Sequence, residues 1–267
     1  MFIATRVAEE SILAFAIVLF LLQFAAHEIG YRIGVLRGRH SDGNAESVRV
    51  VVGGMLALLA FVLALTLSFA NGRFNERRLG AQEEANAIGT AWLRAKALGG
   101  VHGEEIASLL ERYTQVRIAF IKAGGDAEQI DATSRETNEL QTRIWGHLTR
   151  IVQDAPTPVA ASLMVSLNET FDMSAAERFA FEVRLPHQIF WLLMFMTIIC
   201  MGCLGYQFGL QQKPSRVMVA ILISMWTAAV VDILDLGSGR LGNLRTPVTS
   251  YEWTQQSFKG GIPLPPP

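Results

Sequence analysis

From Val50 to Ala70 the chain carries no charged residue, and it then passes without a proline into a charged, amphipathic continuation. At about 1.5 Å per residue the apolar part covers roughly 30 Å, the thickness of bilayer hydrocarbon, and so predicts a transmembrane helix. Beyond it, Ala81, Ala85, Ile88, Trp92 and Ala95 keep an apolar stripe at helical spacing. The pattern therefore predicts one long helix, half in lipid and half in water. Three more apolar runs are long enough to span: Ser11 to Tyr31, Gln188 to Leu210 and Val217 to Leu234.

Between the second and third spans, apolar positions recur at helical spacing on otherwise polar segments. Ile106, Leu109, Leu110, Tyr113, Val116 and Phe120 form one stripe, and Leu140, Ile144, Leu148 and Ile151 a second. Asp126 is placed to cap a helix, and Thr157-Pro158 to open one running to Phe171. Ser174-Ala175-Ala176-Glu177 reads as a capping box that starts the next. No segment reads as strand. The prediction is an all-α polytopic membrane protein with four transmembrane helices and a helical extramembrane domain inserted between the second and third. Residues 1–70 form the first transmembrane hairpin, turned by Ser41-Asp42-Gly43-Asn44. Residues 71–185 form the helical domain, 186–236 the second hairpin and 237–267 an extended C-terminal tail with a proline-rich end.

The lipid half of the long helix has a second pattern. At about 100° per residue, Gly53, Ala57, Ala60, Ala64 and Ser68 fall in one narrow sector, with Phe61 and Leu65 beside it. In lipid, apolar burial gives helices little reason to associate, so a face of small residues marks a close neighbour, in the same chain or in another copy.

Composition narrows the class. Of 267 residues, 51% are hydrophobic, the mean hydropathy is +0.30 and the net charge is −1. With no sustained basic patch to neutralise phosphates, nucleic acid is not an expected partner, whereas membrane lipid is. The opening MFIATRVAEE lacks the basic start of a secretory signal, so the first span is expected to be retained. His27 and Glu28 close that span as an interfacial pair. Cys200 and Cys203 lie inside a span as small packing residues. Asp232 and Asp235, three apart near the end of the fourth span, suit a cation or a proton, or pairing with arginines such as Arg73, Arg77, Arg240 or Arg245. Pairing is the favoured reading, because charges near hydrocarbon are seldom left alone. The five histidines are scattered, and no H-E-x-x-H, P-loop, dinucleotide fingerprint or Ser-His-Asp arrangement appears. No catalytic residue, metal or cofactor is expected, and an enzyme is not.

The segment FVLALTLSFANGRFNERR with the following EEANAIGTAWLRA, between Phe61 and Ala95, resembles a bestrophin-like family of bacterial membrane proteins. ILDLGSGRLGNLRTPVTSYEWTQQSF, from Ile233 to Phe258, is similar to that family's ending. There is a more distant resemblance to the bestrophins themselves, which are pentameric anion channels. It implies a homo-oligomeric ion channel in the bacterial inner (plasma) membrane, with the helical domain and termini cytoplasmic. Carried onto this sequence, it places Ala57, Phe61 and Leu65 along a pore as a hydrophobic neck, and Arg73 and Arg77 below them as anion attractors. Gly53, Ala60, Ala64 and Ser68 would then pack helix on helix. The alternative is a non-conducting membrane anchor that presents the helical domain as a sensor or scaffold.

Overall fold

A computed structural model describes residues 12–38, 45–183, 186–212, 215–240 and 244–260. The opening decapeptide, the Ser41–Asn44 turn and the proline-rich end lie outside the described residues. Within them the chain forms eight helices and no strand: α1 Ile12–Gly38, α2 Ala45–Leu98, α3 Gly100–Lys122, α4 Ala127–Asp154, α5 Pro158–Glu182, α6 His187–Leu210, α7 Arg216–Ser238 and α8 Thr249–Phe258. α1, α2, α6 and α7 are long and apolar enough to cross a membrane, as the hydrophobic runs required. The chain divides into two compact units, Met1–Arg73 with Arg184–Leu244 and Phe74–Val183 with Arg245–Pro267. α2 is uninterrupted and contributes to both.

The first unit is the membrane bundle, and its closest packing is made by glycine. Gly30, Gly34 and Gly38 recur every fourth residue on α1 and lie against the α6 backbone, Gly30 at Gly202, Gly34 at Gly209 and Gly38 at Leu210. A Cβ on Gly30 would overlap the carbonyl oxygen of Gly202, and one on Gly34 that of Tyr206. From the other side, Cβ atoms on Gly205 and Gly209 would overlap the carbonyls of His27 and Tyr31. The two backbones are in van der Waals contact, which only glycine permits. Phe15, Leu19, Leu59, Leu63, Met201 and Ile223 fill the space around them. Cys200 packs here as expected, its Sγ 3.7 Å from the Met55 carbonyl, and both thiols are free.

The second unit wraps the polar-side half of α2 with α3, α4, α5 and α8. Ala81, Ala85, Ile88, Ala91 and Ala95 lie against Ile106, Leu110, Tyr113, Phe120, Ile144 and Leu163 in one core. The predicted caps form: Asp126 accepts from the Gln129 amide at 3.1 Å, and Thr157 from that of Ala160 at 3.2 Å, with Pro158 in the first turn. Gly99 and Gly100, both at positive φ, turn α2 into α3.

Two sequence expectations are corrected. Ser174-Ala175-Ala176-Glu177 does not start a helix, because α5 runs unbroken to Glu182 and buries both Ser174 and Glu177 on its inner side. The motif matched a capping box by residue type alone. Nor is the segment after residue 237 extended throughout, since Thr249–Phe258 folds as α8 and buries Tyr251 and Thr254. With two anchors in ten residues, it offered no apolar stripe to read.

Candidate functional site

In the membrane unit, α2 is sharply two-sided. Val52, Leu59, Leu63, Thr66 and Ala70 are buried, at a spacing that keeps them on one side of the helix. Gly53, Ala57, Ala60, Ala64 and Ser68 are exposed, as are Phe61 at 66% and Leu65 at 62%. All the residues assigned to the neck and to helix packing therefore share a face that the single chain leaves bare. A Cβ on Gly53 would meet nothing within 4 Å, so the small-residue sector is not a contact within the chain. α2 passes through Gly53-Gly54 without a break.

The charged candidates are dispersed. The Arg73 guanidinium lies 5.2 Å from the centre of the Phe69 ring. Arg77 is 1% exposed, its guanidinium 6.0 Å from the Phe181 ring. Asp235 is buried and accepts the Leu244 amide on both carboxylate oxygens, at 3.4 and 3.3 Å, whereas Asp232 is exposed. The two aspartates thus differ in environment and do not make one shared site. His27 and Glu28 also part. Glu28 accepts from Arg216 at 3.1 Å, while His27 is buried edge-on to Phe208.

The strongest electrostatic feature lies in the extramembrane unit, where four helices each place one side chain in a buried cluster. Arg117 of α3 donates through Nε to Glu84 Oε1 at 2.6 Å and through Nη2 to Glu84 Oε2 at 3.0 Å. The same Nη2 reaches Glu177 Oε2 of α5 at 2.6 Å. The Tyr251 hydroxyl of α8 lies 2.7 Å from Glu84 Oε2 and 2.9 Å from Glu177 Oε2. Burial alone would raise both carboxyls, but Arg117 and the hydrogen bonds to Glu84 outweigh it there and hold Glu84 below the usual carboxylate range. Glu177 is pushed well above that range by burial and by the charge of Glu84. Burial likewise raises the phenol of Tyr113, which accepts from Gln141 at 3.1 Å beside the cluster.

Comparison with solved structures finds a bacterial bestrophin homolog from Klebsiella pneumoniae, crystallised with a tryptophan-to-alanine substitution. The two superpose with a TM-score of 0.72 over 94% of this chain and 97% of that one, at 14% sequence identity. This chain has a bestrophin-like fold. No family model matches the sequence, and no curated protein matches it.

Within this bestrophin-like chain, the buried cluster is the feature sequence reasoning missed. Glu84 sits beside Ala85 and Arg117 beside Val116, each a charge inserted into an apolar stripe, and that was the available signal. The histidines, scattered in sequence, include one pair brought together: His102 and His147 place their Nδ1 atoms 3.0 Å apart. Burial first, and then the charge of His102, hold His147 below the ordinary histidine range. Among the described residues, no three metal-ligating side chains converge.

Proposed function

We propose that copies of this chain assemble about the bare face of α2 into an ion channel of bestrophin-like type. Ala57, Phe61 and Leu65 form the narrow neck, one residue per helical turn, which gates by dewetting. Gly53, Ala60, Ala64 and Ser68 let neighbouring copies approach across the same helix. Five copies and a cytoplasmic helical domain follow from the resemblance to the bestrophins. Arg73 supplies positive charge on the segment after the neck and favours anions.

The observation that supports this reading is the combination of a bestrophin-like fold with a spanning helix that buries one side and leaves its small residues uncovered. The test is ion flux through purified protein in liposomes, chloride against potassium, together with particle averages of the solubilised protein. A ring of copies about an axis, with chloride flux that rises in Phe61→Ala, is the expected result. Background flux in both proteins, or a monomer, leaves the non-conducting scaffold instead.

A further inference from the structure

We propose that Glu84 and Glu177 bind one proton between them, and that the docking of α8 on the extramembrane unit depends on that proton. The inference is independent of ion conduction.

The cluster holds two carboxylates, one guanidinium and two phenols, with the side chains of Arg117, Glu84 and Glu177 at most 2% exposed. With both carboxylates ionised, a net negative charge would sit where water cannot reach it, which is strongly unfavourable. Hydrogen positions give the same answer. Tyr251 has one hydroxyl proton, yet its oxygen is within 2.7 Å of Glu84 Oε2 and 2.9 Å of Glu177 Oε2. One proton cannot fill both contacts. A second, carried by a carboxyl, completes the chain: Glu177 donates to the Tyr251 oxygen, and Tyr251 donates to Glu84.

The geometry also says which carboxyl carries it. Glu84 has both oxygens engaged, by Arg117 Nε, Arg117 Nη2 and Tyr251. Glu177 uses only Oε2, and its buried Oε1 has no hydrogen-bond partner among the described residues. Glu84 is therefore the supported anion and Glu177 the acid. The titratable and charged groups acting on the pair are Glu84 from α2, Tyr113 and Arg117 from α3, Glu177 from α5 and Tyr251 from α8. Their directions agree: Glu84 is lowered and Glu177 raised.

The proton governs α8 because Tyr251 is that helix's central anchor. Other ties among the described residues include Thr254, donating to the Ala85 carbonyl at 3.1 Å, the Phe258 ring against Trp92, and an exposed Lys122–Glu252 pair at 3.5 Å. An exposed pair of that kind contributes little. When the pH rises, Glu177 releases its proton to solvent and becomes a second buried carboxylate facing the same hydroxyl. Undocking α8 relieves that charge by admitting water.

Two measurements on the full chain in detergent test this. Infrared spectra near neutral pH are expected to show a protonated carboxyl that disappears in Glu177→Gln. Hydrogen-exchange protection of α8, corrected for the intrinsic pH dependence of exchange, is expected to fall about tenfold per pH unit above the ordinary glutamate range, levelling once Glu177 ionises in the docked state. In Glu177→Gln, whose amide mimics the neutral acid, that slope should vanish. Absence of the protonated carboxyl in the native chain, or an unchanged slope in Glu177→Gln, overturns the proposal. Should that variant fail to fold, Tyr251→Phe decides. It is expected to shift the carboxyl frequency and lower α8 protection, and a carboxyl band indifferent to loss of the hydroxyl overturns the proposal equally.

Discussion

Arg117 holds Glu84 with two nitrogens, Nε on Oε1 and Nη2 on Oε2, and neither side chain reaches water. A planar fork fits a carboxylate in this way, whereas a lysine ammonium offers a single point of charge. Arg117→Ala would leave Glu84 buried with no cation on its two oxygens, so that it must bind a proton or admit water. The expected loss is about 3–5 kcal/mol in denaturant unfolding of the full chain, with Arg117→Lys recovering only part of it.

The glycine contact in the membrane unit predicts a different sensitivity. Gly30→Ala places a methyl group on the Gly202 carbonyl and is expected to cost about 1–3 kcal/mol, read as a fall in the melting temperature in detergent. Gly53→Ala is the control. Its Cβ meets nothing within 4 Å, so the fold of the single chain should lose nothing and gain at most about 1 kcal/mol from the better helix former. A bulkier Gly53→Leu should change the oligomeric state on a sizing column while leaving helix content intact.

For the neck, Phe61→Ala removes an exposed ring from the bare face of α2 and should raise liposome flux several-fold. Arg73→Gln should leave total flux in place and reduce the preference for chloride over potassium. The reversal potential in a planar bilayer measures that preference.

His147 sets an acid-side dependence. Its pKa lies below the unfolded value, so the unfolded chain binds more protons over the window between the two. Stability from this residue is present above the unfolded histidine value of about 6.5 and is lost as the pH falls below it. Over the same range Glu177 acts in the opposite sense, so the histidine is read as a difference: on acidification from about pH 7.5 to about pH 5.5, His147→Gln should gain melting temperature relative to the native chain. Glu105 opposes the effect, while Arg150 and Arg143 reinforce it.

The architecture was legible because it rests on periodicity. An uncharged run from Val50 to Ala70 and the stripes through Ile106 and Leu140 each state a helix and its buried side. The bare face of α2 was half legible: spacing put Gly53, Ala57 and Phe61 on one side, but the choice between a contact in the same chain and one elsewhere needed coordinates. The buried cluster was not legible, since Glu84, Arg117, Glu177 and Tyr251 lie on four helices and meet only through tertiary packing. Glu177 was drawn into a capping reading because a local motif is visible in sequence and a partner 60 residues away is not. The G-x-x-x-G-x-x-x-G run from Gly30 to Gly38 was plain in the sequence, overshadowed by the longer small-residue sector on α2.

That run has a consequence for biosynthesis. Gly30 leaves the ribosome well before Gly202, and the whole of α2 to α5 is translated in the interval. During that time the notched side of α1, His27 included, lacks the α6 backbone it packs against in the finished chain. Completion of the bundle awaits insertion of α6, and a delay at that step would leave an early helix whose backbone is open to the wrong neighbour.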